Sequence, residues 1–332
     1  MRTDNPQIGR RTTRSGLPLT ELGVGGAQFG NLYREMPEGE VERIVDAAWE
    51  SGVRLFDTAP HYGMGLSERR LGRALAQYPR DEYVLSTKVG RLIRPNPGGI
   101  GTDEQFHGVP NTTKRVWDFS AAGVRRSIEE SLERLGLDRI DIAYIHDPDD
   151  HWDEAINGAV PALQELRAQG VISSFGAGMN QSAMVARFIR EGDADLVMLA
   201  GRYTLLEQGA LADVFPAAEE TGASVVIAGV YNSGLLARPR PAADAPYNYE
   251  AAPAELITRT NRIADVCERH GLTLPEVAVA FVLLKPQVAS VVVGSSNAEQ
   301  FQQALQRYQT RVPAALWEDL VAEGLLAREA LP

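Results

Sequence analysis

The chain has 332 residues, 44% apolar and 23% charged, enough to bury a sizeable core in one large domain or two small ones. A formal net charge of −11 repels phosphate backbones and no Lys/Arg stripe offsets it, which excludes nucleic acid as a partner. Cys267 is the only cysteine, so no intrachain disulfide forms, and no run reaches the roughly 20 apolar residues of a membrane span.

Arg2, Arg10 and Arg11 are not followed by an apolar stretch, so no secretory signal is read and a cytoplasmic protein is expected. Gly16 and Pro18 are turn signals, and the residues before Leu22 predict a short β-hairpin suited to plugging a barrel floor. From Glu40 onward, apolar runs alternate with segments of helical periodicity. Val41, Ile44, Val45 and Ala48 share one helix face, Gly52 follows, and Val53–Phe56 reads as a strand. The same order recurs with Ile156, Val160, Leu163 and Leu166 before Gly170, and with Leu211, Val214 and Ala218 before Gly222. Gly136 and Gly192 close two more helices. Each such glycine is expected to take the left-handed conformation that ends a helix.

Strands are predicted at 22–26, 53–58, 83–88, 140–146, 171–176, 195–199, 224–229 and 289–293. Parallel strands joined by helices form either an open doubly wound sheet or a closed barrel. Eight units in about 290 residues favour the barrel. Gly23, Gly25, Gly26 and Gly30 lack the spacing of a dinucleotide-binding fingerprint, which argues against a Rossmann domain. The expectation is one barrel domain over residues 1–332, with the N-terminal hairpin and additional C-terminal helices. The stretch 91–119, rich in Gly, Pro, Asn and Thr, reads as a loop that covers the site as a lid.

Catalytic groups in such a barrel sit where strands end. The second strand ends in Asp57, with Tyr62 five positions on; the third ends in Lys88, the fourth in His146. A free tyrosine titrates near 10, and an ammonium about 4 Å away favours its phenolate by roughly 4 kcal/mol at an effective dielectric of ~20, before desolvation opposes it. Asp57 would keep Lys88 charged, and His146 could hydrogen-bond the reacting oxygen. Singly, each has a plainer reading: Asp57 as a turn cap, Tyr62 as packing. Together they point to proton transfer. A lysine at a strand end also suits a Schiff-base aldolase, whose mark would be borohydride trapping on Lys88.

The segments Phe56-Asp57-Thr58-Ala59-Pro60-His61-Tyr62-Gly63, Ser67-Glu68-Arg69-Arg70-Leu71-Gly72, Ser86-Thr87-Lys88-Val89-Gly90 and Ile140 to Asp147 together resemble the aldo-keto reductase family, in order and over nearly the whole chain. The resemblance implies a (β/α)8 TIM barrel, NAD or NADP bound without a Rossmann fold, and Asp57, Tyr62, Lys88 and His146 as the catalytic set. Gly25-Gly26, Asn31-Leu32-Tyr33, Ser86 to Leu92, His146-Asp147-Pro148-Asp149 and Asn232 to Leu236 are similar to the aldose 1-dehydrogenase branch, which oxidises L-fucose, D-arabinose and related sugars to lactones. Pyridoxal 4-dehydrogenase is a close relative of that branch. Pyridoxal oxidation, general aldehyde or ketone reduction and a non-catalytic cofactor-sensing subunit remain as other readings.

Val293-Gly294-Ser295-Ser296-Asn297 looks like the family's phosphate loop, leading into a helix from about Ala298 whose amides suit an anion. Gly294 and Gln300 stand where NADP-preferring members often carry basic residues, and no neighbouring Lys or Arg is present to grip a 2′-phosphate. NAD is therefore favoured over NADP. Asn180 is assigned to the nicotinamide carboxamide, because Gly178-Met179-Asn180 replaces the usual Ser-Asn pair, and Tyr231 is the candidate for ring stacking; Ala200 stands where a Gln is common. Tyr33, His61, Trp117 and Trp152 are candidates to contact a small sugar or aldehyde. Asp147, Asp149 and Asp150 resemble half a metal site, but a solvated acidic turn is the simpler reading and no metal is assigned.

Overall fold

The computed structural model describes residues 8–248 and 250–332. β1 (Arg10–Thr12) and β2 (Pro18–Thr20) pair antiparallel, forming the expected hairpin. There follow β3 (Leu22–Gly25), α1 (Glu40–Glu50), β4 (Leu55–Asp57), α2 (Leu66–Leu75) and β5 (Val84–Val89). Next come β6 (Arg91–Pro95), β7 (Thr113–Trp117), α3 (Ala121–Leu135) and β8 (Ile142–His146). After α4 (Trp152–Glu154), a π-turn at Ala155–Ala159 runs into α5 (Val160–Ala168). Then β9 (Ser174–Met179), α6 (Ser182–Glu191), β10 (Leu196–Ala200), α7 (Val214–Thr221) and β11 (Ser224–Ala228) continue the alternation. The chain ends with β12 (Pro246–Tyr247), β13 (Glu250–Ala251), α8 (Ala254–Arg269), α9 (Leu274–Val282), β14 (Val288–Gly294), α10 (Ala298–Gln309) and α11 (Ala314–Ala322).

Eight strands close into a parallel barrel in the order β3-β4-β5-β8-β9-β10-β11-β14. Alternation along each strand sorts the side chains. Leu55, Val84, Ile142, Tyr144, Leu196, Met198, Val226 and Val292 fill the interior together with Leu19 of the hairpin. Their neighbours Phe56, Leu85, Ala143, Ile145, Val197 and Val225 point outward into the layer shared with the helices, where Val41, Ile44, Val45 and Ala48 of α1 are buried as predicted. The Arg11 guanidinium clamps the hairpin to the floor by donating to the carbonyls of Leu283, Lys285 and Val288 at 2.8–2.9 Å, which satisfies acceptors left at the end of α9.

Gly52, Gly136, Gly170 and Gly222 are left-handed after their helices, as expected, but Gly192 is not: its φ is −99° and Asp193, at φ 51°, makes the turn. The Asp193 carboxylate is tied to Arg14 at 2.6 Å and Arg167 at 3.3 Å, which supports a left-handed aspartate. The fifth strand starts three residues later than its apolar run suggests, because the Val171 amide closes the end of α5 on the Leu166 carbonyl at 3.0 Å. Residues 91–119 are more than loop: β6 and β7 pair antiparallel from Arg91↔Trp117 to Pro95↔Thr113. Arg91, Arg94, Lys114 and Arg115 break up their apolar residues, so no period-two strand signal shows in the sequence and cross-strand pairing supplies the strands.

Gly176 on β9 is closest to its neighbours. A methyl there would lie 1.7 Å from the Leu196 carbonyl oxygen, so Gly176→Ala is expected to cost roughly 2–3 kcal/mol through strand displacement. A lowered urea midpoint measures this; an unshifted midpoint would mean that β9 and β10 part freely.

Candidate active site

Period-two alternation stacks a polar layer on the apolar interior. Below Asp57 lies Leu55, below Lys88 lie Ser86 and Val84, and below His146 lie Tyr144 and Ile142. Asp57, Lys88 and His146 are buried at the rim. Tyr62 comes from the β4–α2 loop, which is pressed against the loop after β3: a methyl on Gly30 would sit 2.5 Å from the Tyr62 carbonyl carbon. Only glycine permits that approach, and it fixes the backbone that carries the phenol.

Lys88 Nζ donates to Asp57 Oδ2 at 2.7 Å and to the Thr58 carbonyl at 2.9 Å, while Ser86 Oγ donates to Asp57 Oδ1 at 2.7 Å. The ammonium also lies 4.7 Å from the centre of the Tyr62 ring, close enough to act on its hydroxyl through charge. Burial opposes the charge on Lys88, but Asp57 outweighs it and the pKa is raised, so the amine stays protonated. For Tyr62 burial exceeds the pull of Lys88, and the phenol pKa is raised as well. This corrects the expectation of a phenolate near neutral pH: burial keeps Tyr62 a neutral phenol there, although its half-buried ring is open to the cavity. His146 is held well below the usual histidine value by burial and then by Arg91 and Lys88, so its imidazole is neutral. Its Nδ1 is buried and has no partner among the described residues.

A second ring of residues surrounds these. Asp147, left-handed at φ 43°, turns its carboxylate to Arg91 and to within 3.6 Å of His146 Nε2. Arg91 lies 4.3 Å from the Trp117 ring centre, and Trp117 stacks on Phe119. His61 packs on His146, Tyr62 and Phe106, and its Nδ1 accepts from Arg115 Nε at 2.6 Å. Trp152 is the exception: its ring packs on Phe188 at 4.8 Å with Arg187 3.6 Å from the ring centre, so its expected substrate contact gives way to helix packing.

A cavity of about 480 Å³ opens beside Asp57 and Tyr62, and Tyr33, Asn180, Ala200, Tyr231 and Gly294 line it. Tyr231 also accepts from Arg307 Nη1 at 3.1 Å. At the Gly294 end, Gln28 Oε1 and Ser295 Oγ are buried with no partner among the described residues, although a methyl on Gly294 would touch Gln28. A cavity whose lining carries the orphaned Gln28 acceptor, the Tyr62 phenol and the Asp57 carboxylate, with the orphaned Ser295 hydroxyl next to the lining residue Gly294, fits an elongated polar cofactor such as a nicotinamide dinucleotide. Gln300 is spent differently: its Oε1 accepts from the Ser296 amide at 2.8 Å, capping the loop itself.

The absence of a base near this loop also needs correction. Arg43, distant in sequence, pairs with Glu40, whose Oε1 accepts from the Ala298 amide at 2.8 Å; Arg202 lines the cavity. Gln28 and Arg202 were not singled out from the sequence, while Ser86, Arg91 and Asn232 stood there within the family-like segments without a role in the site. Ser86 also shares the inward parity of Lys88.

The sequence pattern of the Aldo/keto reductase family matches residues 21–322. A D-threo-aldose 1-dehydrogenase of a Pseudomonas species is 48% identical over 317 residues, covering 94% of this chain and 96% of the relative. A pyridoxal 4-dehydrogenase of Microbacterium luteolum is 38% identical, covering 96% of this chain and 98% of that one. Among solved structures, the holo form of an aldo-keto reductase from Bacillus halodurans superposes with a TM-score of 0.76 at 28% identity, covering 98% of both chains. No helix among the described residues is long and apolar enough to cross a membrane. Since the likeness runs along almost the entire sequence and the barrel rim is assembled as that likeness implies, one conclusion follows: the chain belongs to the aldo/keto reductase family of oxidoreductases.

Proposed function

We propose that the protein oxidises the anomeric carbon of a cyclic aldose, L-fucose, D-arabinose or a similar sugar, to the lactone with NAD. The observation that carries this reading is the grouping of Tyr62 with the buried Asp57–Lys88 ion pair, the ammonium 4.7 Å from the phenol ring, at the wall of a cavity with room for a substrate. The aldose dehydrogenase relative supports the substrate class. The bound nicotinamide supplies a hydride acceptor at ring carbon C4, and Asn180, Tyr231, Gly294 and Ser295 would hold the dinucleotide. In its phenolate form Tyr62 takes the anomeric hydroxyl proton and becomes the neutral phenol, and Lys88 stabilises the charge that the phenolate carries. Asp57 keeps Lys88 charged and aimed, with Ser86 bracing its second oxygen. His146, neutral, offers a hydrogen bond to the reacting oxygen. A Schiff base on Lys88 is disfavoured, because it needs a neutral amine and the carboxylate pairing holds this one charged.

The start of α10 supports NAD over NADP. Glu40 already occupies the Ala298 amide, and its carboxyl is held below the ordinary range chiefly by its hydrogen bond from Arg43. A 2′-phosphate brought there would meet that carboxylate and Glu299. kcat/KM is expected to favour NAD by about tenfold or more, like charge acting against the competitor; a preference for NADP overturns the assignment.

Following the absorbance of the reduced cofactor with L-fucose, D-arabinose, L-galactose, D-glucose and pyridoxal tests the substrate class. Turnover of at least one sugar is expected, and silence with all of them overturns it. Pyridoxal is the second reading, favoured by the 38% identical relative, and pyridoxal turnover alone would replace the first.

A further inference from the structure

Three rings crowd the proton relay. The centroids of His61, Tyr62 and His146 are 5.6, 5.9 and 6.0 Å apart. Of these, His61 is reached from outside the barrel by a line of charge. Asp103 Oδ2 accepts from Arg115 Nη1 at 2.8 Å, and Arg115 Nε donates to His61 Nδ1 at 2.6 Å. A guanidinium has only donors and keeps its proton in proteins. His61 Nδ1 is therefore an acceptor, the ring is neutral, and its single proton resides on Nε2. No described residue accepts from that Nε2–H, and His61 is only half-buried.

The surrounding charges agree. Arg91 and Arg115 from β6 and β7 and Lys88 from β5 face the ring, with Asp103 as the one opposing carboxylate; burial first, then the arginines, lower its pKa to about 2. Asp103 is itself fixed, because its Oδ1 accepts from the amides of Gln105 and Phe106 at 2.9 and 3.0 Å. Phe106 meets the His61 ring edge to face at 5.2 Å.

We propose that Arg115, braced by Asp103, is a positioning residue that locks His61 as the Nε2–H tautomer, making it a second neutral imidazole beside His146 that donates a hydrogen bond to a substrate hydroxyl. The segment between β6 and β7 thereby acts on the site through a fixed proton position. The substrate half of this rests on the aldose reading above; the tautomer half does not.

Nitrogen-15 spectra of the histidine side chains test the tautomer without substrate or cofactor. His61 is one of five histidines and is identified by the signals lost in His61→Asn. In the wild type its Nδ1 is expected to give a pyridine-type signal and Nε2 a pyrrole-type signal, unchanged from about pH 5 to 8. Arg115→Leu is expected to abolish the pyridine-type Nδ1 signal, since Asp103 is then free to accept a proton from that nitrogen; Arg115→Lys, which still donates, is expected to restore it. A wild-type His61 that titrates in this range, or carries its proton on Nδ1, overturns the proposal whatever the variants do. Kinetically, Arg115→Leu and His61→Asn are each expected to lower kcat/KM for a reactive aldose about tenfold, with the double variant no worse than either. Additive losses overturn action through His61. If no sugar reacts but the wild-type spectra hold, the aldose reading fails and the tautomer lock stands.

Discussion

Replacing Tyr62 by phenylalanine is expected to lower kcat by about 10³-fold or more, at the upper end of what a positioned acid or base contributes, with dinucleotide affinity changed by less than about twofold. The change removes one oxygen and keeps the ring that packs against His61 and His146, so the architecture of the rim survives. The ionisation of the wild-type phenol adds a second readout. Burial raises its pKa above the ordinary 10 despite the opposing pull of Lys88, so the phenolate is the minor species throughout the neutral range. In the oxidising direction, which consumes phenolate, kcat/KM is expected to rise about tenfold per pH unit from neutral toward alkaline pH. In the carbonyl-reducing direction, which consumes phenol, it stays flat and falls only at alkaline pH. Turnover retained by the phenylalanine variant removes Tyr62 from the role.

Lys88→Met is expected to damage both stability and rate. Lys88 and Asp57 are buried and paired at 2.7 Å, so removing the cation strands a carboxylate in the barrel and costs about 3–5 kcal/mol of stability. The rate falls independently, because Tyr62 loses the cation that stabilises its charge. The double variant Lys88→Met with Asp57→Asn separates the two effects: it is expected to regain most of the urea midpoint and none of the turnover. Recovered turnover would show that the amine serves the fold alone. The pH dependence has a definite sign. Because the folded pKa of Lys88 is raised, its contribution to stability is complete below the ordinary lysine value of about 10.4 and disappears as pH climbs through the higher folded value.

Much of this was legible in the residues because the deciding signals are local. Asp57, Lys88 and His146 each close an apolar run, and barrel geometry converts strand ends into one rim without knowledge of any long-range contact. Strand parity extended this to Ser86. The helix after the last strand was equally readable, α10 starting at Ala298 with Asn297 as its cap, accepting from the Gln300 amide at 2.8 Å. What escaped were contacts between distant segments. Glu40 reaches Ala298 across 258 positions, Arg115 reaches His61 across 54, and neither pairing has a periodicity to announce it. The β6–β7 hairpin was hidden because Arg91, Arg94, Lys114 and Arg115 leave neither strand an alternating apolar face. Trp152 misled for the opposite reason, since an aromatic beside a catalytic loop is equally suited to cover a helix, and Phe188 claims it. The ionisation of Tyr62 turned on the balance between a neighbouring charge and loss of water, which sequence spacing cannot weigh.

The hairpin at the base has a consequence for traffic through the enzyme. Leu19 corks a shaft walled by Leu55, Val84, Ile142, Tyr144 and Leu196, and the Ser86 hydroxyl at its top is already spent on Asp57. Below the polar rim the interior is largely apolar, so on the proposed reading a proton taken up by Tyr62 leaves most directly through the cavity beside it. Discharge to bulk water would then share one opening with the substrate, so that whatever fills the cavity also delays the proton.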